Sequence, residues 1–239
     1  MILQGALNGD RRRDEHPAVP LSIDELVLDA VACTAGGARE FHLHPRDVTG
    51  AETLEPVVID GVVAAVRAAC GGEVRVGVST AAWIEPDVTR RLDLISAWRE
   101  PDYASVNLSE EGFALVMDEL LRTGVGIEAG VWSVADARRL ADSGFADRIT
   151  RVLVEPVDPL PEEALAIVAE IHRALDAGGV TAPRLQHADS ASAWIVIEDA
   201  IAAGLDTRVG FEDTLLLPDG SSAASNAELI AAARELGAV

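Results

Sequence analysis

Residues 36–80 read GGAREFHLHPRDVTGAETLEPVVIDGVVAAVRAACGGEVRVGVST, and the fold follows from this stretch. Gly36-Gly37 breaks the preceding segment and introduces a strand over residues 39–44. Residues 56–69 carry apolar side chains at helical spacing, with Pro56 in the first turn where its missing N–H costs nothing. Gly71-Gly72 then turns the chain into a second strand over residues 73–80. Two strands separated by one helix are parallel and joined by a right-handed crossover.

The same unit recurs on both sides. A strand over residues 2–8 precedes a helix over 22–35, which opens with the capping box Ser22-x-x-Glu25. Further strands are read at 103–108, 124–130, 150–155, 184–187 and 207–212, each followed by an Ala/Leu-rich helical segment. Eight strands alternating with eight helices predict a single α/β domain over residues 1–239, a (β/α)8 TIM barrel. An open doubly wound sheet is the alternative. Apolar residues form 49% of the chain but aromatics only 4%, so the core is built mainly from Ala, Val, Leu and Ile.

A formal net charge of −21 argues against nucleic acid or an anionic membrane as partner, since both need a basic surface. A small-molecule substrate is expected instead. All 19 basic residues are arginine, which removes every mechanism that needs a lysine amine, including Schiff-base aldolases, pyridoxal phosphate enzymes and P-loop NTPases. Cys33 and Cys70 fall in helical stretches, with no redox-pair or zinc-knuckle spacing. With no basic-then-apolar signal and no apolar run of membrane length, cytoplasmic residence is the expectation.

A barrel gathers its functional side chains at the carboxyl ends of its strands. Those ends carry Asn8-Gly9-Asp10, His42 and His44, Ser79-Thr80, Asn107, Glu128, Glu155, His187 and Glu212-Asp213 in chain order. His42 and His44 lie two apart on a strand and share a face, which is chelating geometry. Imidazole pairs suit zinc, and a catalytic zinc takes one further protein ligand. Glu212 is the best candidate, because the first, second and last strands are neighbours in a closed barrel; His187 is its rival. The plain alternative is that both histidines merely pack or hydrogen-bond at a strand end.

Further blocks spread along the chain are His16-Pro17-Ala18-Val19-Pro20, His42-Leu43-His44-Pro45-Arg46-Asp47, Gly77-Val78-Ser79-Thr80, Ala104-Ser105-Val106-Asn107-Leu108, Arg208-Val209-Gly210-Phe211-Glu212-Asp213-Thr214 and Asn226-Ala227-Glu228-Leu229. In their joint order they resemble the β-keto acid cleavage enzymes, a family of zinc-dependent (β/α)8 proteins. The resemblance implies that a β-keto acid reacts with acetyl-CoA to give acetoacetate and a new acyl-CoA. It implies a zinc ion on His42, His44 and Glu212, and an acid–base group that includes Arg208 and Asp213. It further implies a homo-oligomer, with a tetramer in view. The family's third acid–base member is a glutamate after the first strand, where this chain has Asp10, one methylene shorter.

Within that implied chemistry Asp213 is the candidate base for the C2 proton, Arg208 its orienting partner and Asp10 the end of the relay. Ser79, Thr80, Asn107 and Glu128 are candidates for substrate contact. Ser79 and Asn107 have local capping or loop roles as competitors. Glu128, inward on the fifth strand, favours a cationic substrate group unless Arg46 or another arginine neutralises it. Trp83, Trp132 and Trp194 are pocket wall or ordinary packing. Arg11-Arg12-Arg13 are candidates for CoA phosphates or a solvated loop. Competing functions are a metal-dependent aldolase or lyase that needs no CoA, and a barrel that binds metal or keto acid without turnover. Manganese, cobalt and nickel are the alternatives to zinc.

Overall fold

The strands of this chain are buried along nearly their whole length, which only a sheet covered on both sides can satisfy. The computed structural model describes residues 1–157 and 159–238. In it β1 (Leu3–Ala6), β2 (Glu40–Leu43) and β6 (Arg151–Val154) are buried at every position. They alternate with helices and with β3 (Arg75–Ser79), β4 (Tyr103–Asn107), β5 (Gly126–Val131), β7 (Arg184–Gln186) and β8 (Asp206–Val209). All neighbours are parallel, and β8 pairs with β1 to close the barrel. The expected (β/α)8 barrel is therefore the fold, and the open sheet is excluded.

The helices are α1 (Ile23–Ala35), α2 (Pro56–Ala69), α3 (Val88–Ser96), α4 (Phe113–Thr123), α5 (Val134–Asp142), α6 (Pro161–Ala177), α7 (Ala193–Ala203) and α8 (Asn226–Glu235). Both bonds of the Ser22–Glu25 capping box form at the start of α1. Pro56 opens α2, which turns Ile59, Val62, Val63 and Val66 inward. Cys33 is buried in α1, while Cys70 caps α2; both are free thiols. Among the described residues no helix is long and apolar enough to cross a membrane.

Strand ladders are shorter than the apolar runs that announce them, and the difference builds the site. The run 207–212 leaves the ladder after Val209, and at Gly210 it passes so close to β1 that a Cβ would lie 1.9 Å from Ala6 O. Only glycine lets the two backbones approach so closely. Past that contact the Glu212 amide still donates to Ala6 O at 3.2 Å, so the last turn of the chain stays fixed to β1.

The core is built mainly from Ala, Val, Leu and Ile, as the composition implies, but below the site the barrel interior itself is polar. Arg151 pairs with Glu128 at 2.9 Å and with Glu40, and its guanidinium carbon lies 5.4 Å from the Tyr103 ring centroid. Gln4 Nε2 donates to Glu128 at 2.9 Å and to the Tyr103 hydroxyl at 3.1 Å. The aliphatic residues instead fill the shell between strands and helices.

One seam of that shell carries a titration. Burial pushes the Asp29 carboxyl of α1 up to about 6, against a smaller lowering by the Asn226 amide that donates to it. Between the ordinary value of 3.8 and about 6 the folded chain holds a proton that the unfolded chain has lost. Stability from this group is therefore greatest at low pH and falls as pH rises through that window. Asp29→Asn is expected to stabilise the protein above pH 6, by at most about 3 kcal/mol, with the gain shrinking towards pH 4. Urea melts at pH 4 and pH 8 check this, and an equal effect at both would remove Asp29 as its source.

Candidate metal centre and pocket

The carboxyl ends of the strands surround a cavity of about 280 Å³. His42 comes from β2, His44 follows it, and Glu212 follows β8; the three are brought together by barrel closure. The two Nε2 atoms are 3.1 Å apart, and they lie 3.9 Å (His42) and 3.8 Å (His44) from Glu212 Oε1. A tetrahedral ion with bonds of about 2.0–2.2 Å sets its ligands roughly 3.3 Å apart, so the triangle has the size a zinc site requires. Glu212 Oε2 is buried without a partner, as expected for a group that would meet a ligand. The donor set and its dimensions fit a divalent cation.

Protonation favours ligation too. Burial holds the His42 imidazolium at about 3, with Glu212 opposing the shift, so the ring is neutral at physiological pH. His44 Nδ1 donates to the Glu52 carboxylate, which turns the Nε2 lone pair towards the other ligands. Glu52 also accepts from the Trp83 indole at 3.3 Å and lies 3.7 Å from Arg46. Gly9, at φ 51°, passes so close that a Cβ there would lie 2.5 Å from Glu212 Cγ. Any side chain at this position would displace the ligand.

Adjacent carboxylates are driven to opposite behaviour. Arg208 Nη2 donates to Glu212 Oε1 at 2.8 Å and to Asp213 Oδ1 at 2.7 Å. Burial raises Glu212, but Arg208 and then the histidines outweigh it and hold the group well below the carboxylate range. For Asp213 burial prevails over Arg208, and the group is raised. The arrangement gives one carboxylate suited to ligation and a neighbour suited to taking a proton. Asp213 Oδ2 is buried and without a hydrogen bond, so it has a free acceptor position.

Ser79 and Asn107 also line the pocket, although Ser79 Oγ accepts from the Ala81 amide and Asn107 Nδ2 donates to Glu110. Asp10 sits at its rim, exposed, and among the described residues it makes no hydrogen bond to Arg208 or Asp213. Two candidates lie elsewhere. Thr80 is spent on Ser105 O at 2.7 Å, and Glu128 is sealed beneath the pocket by Arg151 and Gln4. An arginine does neutralise Glu128, but it is Arg151 and not Arg46. Trp83 and Trp132 are pocket wall, while Trp194 donates to Leu216 O and lies outside. Arg11, Arg12 and Arg13 pair with Glu15, Asp14 and Glu25.

His187, the rival ligand, follows β7 and stands beside Asp213. Its Nδ1 is 3.6 Å from Asp213 and its Nε2 3.5 Å from Glu155, and neither nitrogen is hydrogen-bonded. It is not part of the ligand triangle. Glu52 is the site residue that sequence reading missed, since nothing local marks a glutamate eight positions after His44 as its partner.

A family model for the beta-keto acid cleavage enzyme matches residues 1–238. The 3-keto-5-aminohexanoate cleavage enzyme of Acetoanaerobium sticklandii is 25% identical over 263 residues, 96% of this chain and 89% of that protein. ObcA in ternary complex with a C4-CoA adduct and oxalate superposes with a TM-score of 0.73 at 16% identity, covering 92% of this chain and 63% of that one. The 3-dehydroquinate dehydratase of Geobacillus kaustophilus gives a TM-score of 0.64 at 12% identity, with 98% and 89% coverage. The chain thus spans just under two thirds of the ObcA chain, and these structures share its fold.

Glu52→Ala is expected to weaken metal binding on the order of 10- to 100-fold. Glu52→Gln, whose amide oxygen still accepts from His44 Nδ1, should lose less. Competition against a chromogenic chelator measures both, and wild-type affinity in the alanine variant would remove the orienting role.

Proposed function

The chain belongs to the beta-keto acid cleavage enzyme family, and from that premise we propose that it converts a β-keto acid and acetyl-CoA into acetoacetate and a new acyl-CoA. The observation that carries this reading is the pairing of a metal-sized ligand triangle with an adjacent raised carboxylate, Asp213, whose Oδ2 has no hydrogen-bond partner. His42, His44 and Glu212 would hold a divalent ion, with zinc preferred for two imidazoles and a carboxylate. When bound, such an ion supplies Lewis-acid activation, making the C2 proton of a β-keto acid easier to remove.

Asp213 Oδ2 is the acceptor for that proton. Arg208 keeps Asp213 in place through Oδ1 and balances negative charge in a pocket crowded with carboxylates. Ser79 and Asn107, on the β3–β4 side, orient the substrate, and the buried Trp132 Nε1, which has no partner, offers a further donor. Asp10 is placed to bind at the rim rather than to complete a hydrogen-bonded relay. The overall exchange is balanced: the acyl group on the keto carbon passes to CoA sulfur, and the acetyl group of acetyl-CoA joins the released two-carbon acid.

A lyase that needs no CoA is the second reading. One observation favours it: Arg11, Arg12 and Arg13, the candidates for CoA phosphates, are already matched by carboxylates, so they do not form a ready phosphate site.

Consumption of a panel of β-keto acids together with acetoacetate release, each with and without acetyl-CoA, tests both. The first reading expects product only with acetyl-CoA and metal, and a loss of at least about 100-fold in Asp213→Asn. Cleavage without acetyl-CoA would establish the second reading and sink the first.

A further inference from the structure

Asn8 and Asn226 are buried completely, and neither side chain touches the cavity. Each lies at the carboxyl end of the ladder and bridges backbone groups of neighbouring strands. Between β1 and β2 the last backbone bond is Leu7 N to His42 O. One step further, Asn8 Oδ1 accepts from His44 N at 2.9 Å and Asn8 Nδ2 donates to His44 O at 2.8 Å. Between β8 and β1, Asn226 Oδ1 accepts from Phe211 N at 2.6 Å, and Asn226 Nδ2 donates to Leu7 O at 2.8 Å. A carboxamide offers the same donor and acceptor as a peptide group, so each asparagine supplies a missing rung.

The two rungs act on β2 and β8, the strands that carry the ligand triangle, and on β1 between them. One fixes the backbone of His44 itself, and the other fixes Phe211, the residue before Glu212. We propose that Asn8 and Asn226 are positioning residues for the metal centre, holding His44 and Glu212 at ligand separation before an ion arrives. This inference rests on the metal reading of His42, His44 and Glu212. Its physical basis is that the strands diverge where the ladder ends, while bonds near 2.0–2.2 Å tolerate little error in ligand placement. Without the amides, buried N–H and C=O groups are left unpaired and the strand ends relax to find other partners.

The test is Co2+ and Zn2+ affinity, measured by chelator competition on Asn8→Ala and Asn226→Ala, with the Co2+ absorption spectrum as a second readout. Gln186→Ala is the control for stability alone. It removes a buried amide that donates to Val196 O at 3.1 Å on the helix side of β7. His42→Ala controls for the site. The expected result is affinity reduced on the order of 10- to 100-fold in both asparagine variants, with an altered Co2+ spectrum, and unchanged affinity in Gln186→Ala despite its lower melting point. Should an alanine variant not fold, Asn8→Asp decides, since it keeps the acceptor for His44 N and loses the donor to His44 O; intermediate loss of affinity is expected. Wild-type affinity in the folded asparagine variants, with binding lost in His42→Ala, overturns the positioning role alone. Equal Co2+ uptake by wild type and His42→Ala overturns the metal reading and this inference with it.

Discussion

Closure of the barrel between β8 and β1 is the constraint on which the site depends. Glu212 follows His42 by 170 positions, and nothing local holds them together. They meet because the ladder that starts at β1 returns to it, and because Gly210 lets the end of β8 lie against the Ala6 backbone. Once that contact forms, Gly9 passes over Glu212 and Arg208 is left beneath two carboxylates. Each of these contacts leaves little free space, so the ligand triangle is a property of the closed sheet rather than of any loop.

Charge in the interior is handled in two separate storeys. The lower storey matches Glu40 and Glu128 with Arg151, and Gln4 and Tyr103 complete its hydrogen bonds. In the upper storey Arg208 is shared by Glu212 and Asp213, and the two carboxylates diverge in acidity because one also faces three histidines. A chain without lysine builds both storeys with guanidinium groups, whose several donors can serve more than one carboxylate at once.

The fold was legible because its signal is periodic and local: glycine pairs and apolar runs recur at the spacing of a βαβ unit, and a capping box marks the first helix. His42 and His44 were legible for the same reason, being two apart on one strand. Glu212 needed one global assumption, closure, which the count of eight units supplied. Other features depend on pairings across the barrel that no window of sequence contains. Glu128 reads as an available carboxylate until Arg151 is seen beside it, and Thr80 reads as a pocket hydroxyl until Ser105 O is seen to take its proton. Glu52 and the two asparagines were invisible as helpers of the site because their partners are backbone atoms or a ring nitrogen on segments that only folding brings near. Strand ends were overrun for a related cause: apolar character continues past the point where the ladder stops.

The polar lower storey also governs traffic. Arg151, its two carboxylates and Tyr103 fill the channel that eight strands would otherwise leave along the axis, so the cavity above them is a blind well. Whatever reaches the histidines goes in by the mouth beside Trp83 and comes out the same way. A bulky molecule still seated in the well therefore bars the next from entering, and the order of arrival and departure becomes part of how such a protein is throttled.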